Sequence, residues 1–343
     1  MKNQSGFLKV LAIVCAVLFG ITLTFSLFAY NIEQTLFNPI VYKQAFSEQN
    51  VCTRLPGVLT QQIISNSRSQ DQSGIIDQLI SSIKPDRLQG LIELVLPCQV
   101  IEKVVDNGID QLFSAINSAT AQNGISLNPI KQSIGENSAA ALDEFLKSQP
   151  DCTAMQLLEI GANAILGQGD QSKLVLCNPP AALRDVFTIP LGLMVDSVID
   201  GLPEQVRIPV SLEKLAATLR FTRTIMNWSP LLPFLFLGLT TALAVRSWRS
   251  ILRWWGIPLL VSGLVALVVS LVIGPTVYAM LGYLILPRLP GNLVQPAIQL
   301  ISDVLSTVAQ GIVKPIQYQS AAISLIGLTM VIGEKLIKPN KQF

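Results

Sequence analysis

Apolar residues along this chain gather into four long runs, and basic residues or tryptophans stand where those runs meet polar sequence. The first run, Leu8–Tyr30, holds no charge but Lys9, and thirteen of its residues are Leu, Ile, Val or Phe. Each of those favours a bilayer centre by roughly 0.3–0.6 kcal/mol, and at ~1.5 Å per residue the run spans ~30 Å of hydrocarbon. The second, Pro230–Val245, is shorter, and Trp228 and Arg246 bracket it at ~27 Å. The third, Ile257–Leu286, is longer than a bilayer needs and carries Gly274-Pro275 in its middle, where a kink is expected. The fourth, Ile316–Gly333, follows Pro315 and ends at Glu334-Lys335.

The flanks orient these runs. Basic residues cluster at Lys2 and Lys9, at Arg246, Arg249 and Arg253, and at Lys335, Lys338 and Lys341. Four crossings put all three clusters on one side, as the positive-inside rule requires. The predicted layout is therefore a cytoplasmic stretch 1–7, span 8–30, an extracytoplasmic domain 31–228 and span 229–245. A cytoplasmic loop 246–256, span 257–286, an outer amphipathic helix 287–315, span 316–333 and a cytoplasmic tail 334–343 complete it. The first run is read as a retained anchor in the plasma membrane. It exceeds the ~7–15 residues of a signal-peptide core, and Leu27 occupies the position where a cut after Ala29 needs a small residue.

Between the third and fourth spans, Asn292–Gln317 reads as an amphipathic helix. Leu293, Ile298, Ile301, Val304 or Leu305, Val308 and Ile312 form its apolar stripe, with Gln295, Gln299, Asp303, Ser306 and Gln310 opposite. Two placements are open, against the core of the outer domain or in the outer leaflet. Helical periodicity also dominates 31–228. It is strongest over Leu96–Ile116 and weaker over Ile75–Ile83, Ser138–Leu146, Ala154–Leu166, Ala181–Ile199 and Leu212–Ile225. Short strands are allowed at Ile125–Leu127 or Val206–Val210. The expected fold class is mainly α: four transmembrane helices plus a predominantly helical, disulfide-stapled extracytoplasmic domain.

The staples are Cys52, Cys98, Cys152 and Cys177, all inside 31–228, while Cys15 falls in the first span. An even number of cysteines in an extracytoplasmic domain suggests two disulfides, with three pairings open. An internal echo favours Cys52–Cys98 with Cys152–Cys177. Cys-Thr opens both loops, and Val-Leu precedes each closing cysteine, with a proline intervening in the first. Each closing cysteine would lead toward an Asp-rich helix-terminal turn, Asp106–Asp110 or Asp196–Asp200.

Composition narrows the chemistry. Half of the 343 residues are hydrophobic, 13% are charged and the mean hydropathy is +0.51, against about 25% charged in soluble domains. Residues 31–228 hold 20 acidic and 14 basic side chains. That domain would repel nucleic acid, and no nucleic-acid partner is expected. The absence of histidine excludes a Ser-His-Asp or Cys-His centre within the chain. Ser81–Lys84 and Ser211–Lys214 have the Ser-x-x-Lys spacing but no KTG or SDN partner. Asp106–Asp110 lacks the alternating ligands and closing glutamate of a calcium loop. The spans carry no charge near their centres, which argues against a pump or ion-coupled transporter. No catalytic residue, cofactor or metal site is expected.

The segment Ala244–Leu260 (AVRSWRSILRWWGIPLL), with Leu127–Lys131 and the Cys177–Pro180 turn, resembles bacterial multipass membrane proteins with an N-terminal anchor, an outer domain and a C-terminal span cluster. That resemblance implies the layout and no activity or site residue. The expected function is that of a non-enzymatic envelope protein which binds or scaffolds through its outer domain. The alternative is handling of a lipid or hydrophobic ligand at the outer membrane face. The expected partners are the bilayer and either another envelope protein or a lipid.

Overall fold

The computed structural model describes residues 2–69, 83–117, 124–157, 177–181, 184, 192, 195–197, 199–207, 212–245, 247–285 and 291–336. Ten helices and one small strand pair are named within them. Helix α1 (Lys2–Leu36) is followed by α2 (Pro39–Glu48), α3 (Val51–Ser69), α4 (Pro85–Val95) and α5 (Cys98–Asn117). Strand β1 (Gly124–Ser126) leads into α6 (Asn128–Lys147), and β2 (Gln205–Arg207) precedes α7 (Leu212–Trp228). Helices α8 (Leu231–Ala244), α9 (Trp248–Ile285) and α10 (Gln295–Leu336) close the chain. Four stretches are long and apolar enough to cross a membrane: Phe7–Leu36, Ala217–Ala244, Trp248–Thr276 and Gln295–Leu336.

These helices pack as two pairs. α1 lies along α8, and Ser26 Oγ meets Ser229 Oγ at 3.5 Å where α8 begins. α9 and α10 form the more extensive pair, made possible by small residues. A Cβ on Gly263 would stand 2.5 Å from Ser324 Oγ and 2.9 Å from the Ser320 carbonyl. One on Gly327 would meet Leu260 Cα at 2.7 Å and the Gly256 carbonyl at 2.9 Å. Lipid offers no hydrophobic drive for helices to associate, so close backbone approach over small side chains holds such a pair. Gly256, Gly263 and the buried Ser270 recur every seven residues, with Gly256 against Gly327 and Gly263 against Ser320, themselves seven apart. The buried hydroxyls are satisfied within their own helices, Ser270 on the Leu267 carbonyl and Ser324 on the Ser320 carbonyl.

The polar domain begins where α1 leaves the bundle. Asn38 caps α2, its side chain accepting from Ile40 N–H with Pro39 at the first helical position. Asn50, at φ 48°, turns the chain into α3, a conformation asparagine tolerates. α3 packs on α4, α4 on α6, and α5 on both α6 and α7. Buried Ser133 of α6 donates to the Val95 carbonyl at the end of α4, at 2.7 Å. β1 and β2 pair antiparallel with Ile125 opposite Val206, using both segments that were strand candidates. Ile125 rests on Gly108 of α5.

Several helices run past their predicted ends. α9 starts at Trp248, so most of the predicted loop 246–256 is helical, and Gly274-Pro275 lies inside the helix. The second crossing reaches back to Ala217 because α7 and α8 are separated only by Ser229 and Pro230. Asp106–Asp110 sits in the middle of α5 and not at a turn, its acids on the exposed face. The predicted helix 292–317 and the fourth span are one helix, α10, passing through Pro315. Helices α2, α3 and α4 stand outside the predicted helices, although Leu88, Leu91, Ile92 and Val95 of α4 keep helical spacing, and Asn38-Pro39 and Pro85-Asp86 stand where α2 and α4 begin. The candidate helix 75–83 lies almost wholly outside the described residues, as do most of 154–166 and 181–199.

Candidate functional site

The two helix pairs leave a cleft between them. α1 meets α9 around Gly20, whose Cβ would lie 3.9 Å from Ser262 Cβ. Beside it, Thr24 Oγ1 sits 3.0 Å from the Gly20 carbonyl and 3.4 Å from the Ser262 carbonyl. About this contact lies a cavity of about 1240 Å³. Ile13, Ala16, Val17, Ile21 and Phe25 of α1 line it, with Val261, Val265 and Val269 of α9 opposite and Leu243-Ala244 at the end of α8. Lys9, Arg253 and Trp254 close the end near the α8–α9 turn. Nearby, Trp255 Nε1 donates to Thr241 Oγ1 at 2.9 Å and ties that turn together. Among the described residues no carboxylate pairs with Lys9 or Arg253.

A second feature is a polar seam along α10 from the bundle into the polar domain. Gln319 exchanges amide hydrogen bonds with buried Asn31, at 2.8 and 3.4 Å. Gly311 offers its carbonyl to Thr35 Oγ1 at 3.2 Å, and Thr307 Oγ1 accepts from Gln49 Nε2 at 2.7 Å. Asp303 pairs with Arg54 at 2.9 Å, and Gln62 bonds the Asn292 carbonyl and Val294 N–H. Positions 303, 307, 311, 315 and 319 recur every four residues, so one ridge of α10 carries the line. The buried residues Ala297, Leu300, Val308, Ala309, Val313 and Ile316 flank it. The predicted apolar stripe shares only Val308 with them. The helix packs on α2 and α3.

Beside the seam, Glu33 is buried with both carboxylate oxygens engaged. Oε1 accepts from Arg223 Nε at 2.9 Å and Oε2 from Gln34 Nε2 at 2.9 Å. Arg223 also donates to Asn117 Oδ1 at 3.0 Å and lies over the Phe37 ring. A carboxylate so occupied holds α1 against α7.

The four cysteines of the polar domain form two pairs at disulfide distance. Cys52 and Cys98 have Cα atoms 5.2 Å apart, and Cys152 and Cys177 4.8 Å. These are the pairs favoured by the sequence echo. Around the second, Asn178 N–H donates to the Pro150 carbonyl and Cys152 N–H to that of Asn178. Asn178 Nδ2 donates to Asp151. Cys52, Cys98 and Glu102 converge, but cysteines joined to each other present no thiolate to a metal. A hollow of about 450 Å³ adjoins this pair and is bordered by Lys43, Asn50, Glu102 and Asp106. Lys43 is held above its ordinary value by its 2.9 Å hydrogen bond to Asp110. Burial raises the Tyr42 phenol, and its ring lies 5.3 Å from that of Phe113. Ser81 and Ser211 lie outside the described residues, so neither Ser-x-x-Lys tetrad acquires a geometry. No family model matches this chain, and neither a curated protein nor a solved structure matches it.

Proposed function

We propose that this is a non-enzymatic, four-span protein of the plasma membrane that holds a lipid in the cleft between α1 and α9, with its polar domain on the extracytoplasmic side. The cleft carries this reading. Its walls are apolar, it lies between membrane-spanning helices, and its volume exceeds the ~300–1,000 Å³ typical of pockets for small ligands. Exposed side chains on those walls, such as Ile21 and Val261, fit a site reached sideways from the bilayer. The orientation rests on the three basic clusters and on cysteine pairs that persist in an oxidising compartment. The chain has no histidine, and Glu33, the one buried carboxylate among the described residues, is tied to Arg223 and Gln34, which supports binding over catalysis.

Native mass spectrometry of the protein in mild detergent tests the reading. Lipid should remain on the wild-type protein, and Ala16→Trp, which fills the cleft, should lower its occupancy severalfold while leaving helicity unchanged. Wild-type protein free of lipid, or Ala16→Trp retaining as much as wild type, would contradict it.

A second reading, scaffolding of another envelope protein through the polar domain, is supported by the seam. Gln49, Arg54 and Gln62 of that domain bond Thr307, Asp303 and the segment leading into α10, and mount the domain on the bundle, as a protein presenting a surface at fixed height would need.

A further inference from the structure

Taking the cleft as a lipid site, we infer that it selects a lipid of net negative headgroup charge, drawn from the leaflet at the Lys9–Arg253 end of the bundle. The cleft is polarised along its length. At one end stand Lys9 and Arg253 with the Trp254 indole; toward the other the walls are Phe25, Phe28 and Val269, with no cation. A lipid therefore has one favourable orientation, headgroup at the cationic end and chains toward Phe25.

Neither cation is spoken for. Both side chains are exposed, and no carboxylate lies within ion-pair distance of either among the described residues. The surrounding sequence is strongly one-signed: Lys2, Arg246, Arg249, Lys335, Lys338 and Lys341 flank the same ends of the spans, against one carboxylate, Glu334. Arginine and lysine reach the headgroup level by laying their alkyl stems along apolar walls, and a guanidinium matches a phosphodiester through two parallel N–H donors. A zwitterionic headgroup brings its own ammonium to the same place and cancels much of that gain. Basic pockets between spans bind anionic headgroups on this principle, and each Lys or Arg near the surface is worth about a fivefold change in affinity.

The test uses the full-length protein in nanodiscs of equimolar phosphatidylglycerol and phosphatidylcholine. Each lipid is supplied in turn as a trace probe bearing a photoreactive diazirine on one chain, and labelled peptides are mapped. We expect phosphatidylglycerol to label the Ala16–Phe25 and Val261–Val269 segments at least fivefold more than phosphatidylcholine. Lys9→Gln with Arg253→Gln should bring the two probes to parity with labelling at those segments retained, whereas Lys314→Gln on the outer half of α10 should leave the ratio unchanged. Equal wild-type labelling of the cleft by both probes would overturn the charge selectivity while leaving the lipid site intact. Labelling spread evenly around the bundle would instead mean annular contact only and remove both. Loss of labelling by both probes in the double variant, with its thermal unfolding unchanged, would show that the cations anchor any phosphodiester and overturn selectivity for net charge.

Discussion

Thr35 donates from Oγ1 to the Gly311 carbonyl at 3.2 Å, and that carbonyl is the acceptor which Pro315, lacking an N–H, leaves without its helical partner. The proline thus removes one backbone bond from the middle of α10. A side chain from α1 replaces the lost bond, and Gly311 admits it, since a Cβ there would already touch Thr35 Cγ2 at 3.4 Å. Thr35→Val should therefore destabilise the protein by about 1 kcal/mol, as an unsatisfied acceptor does, and Thr35→Ser should restore it. With Pro315→Ala the residue 315 N–H returns to the carbonyl, so the Thr35→Val cost should shrink. Thermal unfolding of the four variants in detergent, taken as a double-mutant cycle, checks this coupling; additivity would contradict it.

The contact between α9 and α10 tolerates no added carbon at Gly263 or Gly327. Gly327→Ala presses its methyl into the Leu260 backbone and should cost about 2–3 kcal/mol. Gly238→Ala meets nothing within 4 Å and should be neutral or gain up to about 1 kcal/mol. Unfolding midpoints of the two variants, measured side by side by circular dichroism, should separate widely.

Arg223 and Glu33 are unequal partners, since Glu33 is buried and Arg223 is partly solvated. Arg223→Met strands a carboxylate and should cost about 1–3 kcal/mol, whereas Glu33→Gln keeps hydrogen bonding and should cost less. Chemical unfolding of both variants gives the order.

Acid sensitivity has a defined source at Asp143. Its carboxyl is held below the usual range, first by the hydrogen bond from Lys147, then by the charges of Lys147 and Arg184. A depressed folded value contributes stability that is present above the ordinary carboxylate range and lost as pH falls through the lowered value. Asp143→Asn should therefore lower the neutral plateau slightly, as the site is exposed, and flatten the acid limb of the stability–pH curve by the same small amount. Lys43 has the opposite sign. Its contribution is full below the ordinary lysine value and fades as pH rises through the raised one.

Non-reducing peptide mapping should recover linked peptides containing Cys52–Cys98 and Cys152–Cys177, with Cys15 alone alkylated after denaturation. Closed loops of 46 and 25 residues are each worth roughly 3–4 kcal/mol in the chain-entropy model. Reduction should thus lower the unfolding temperature of the polar domain markedly.

What the chain spells out and what it conceals divide along physical lines. The long apolar helices were legible because mostly apolar runs of 16 to 30 residues have few other uses, and the cysteine pairs because their loops echo each other. The seam was harder to read. Asp303 reads as the wet face of an amphipathic helix, and Gln319 as a lone polar residue inside an apolar run, yet the partners of Asp303, Thr307, Gly311 and Gln319 lie about 250–290 residues away, on α1, at the end of α2 and on α3. Pro315 read as a boundary for the same reason: the Thr35 hydroxyl that rescues it is far off in sequence. The cleft was illegible because it depends on where two helix pairs do not touch, and a linear pattern records contacts poorly and gaps not at all.

A density map of the full-length protein in a phospholipid nanodisc tests the central claim most directly. An ordered lipid should occupy the space between Thr24 and Arg253, its chains along Ile13–Phe25 and its headgroup beside Lys9. Closed packing of α1 on α9 over that length, or bilayer density there no stronger than around the rest of the bundle, would contradict it.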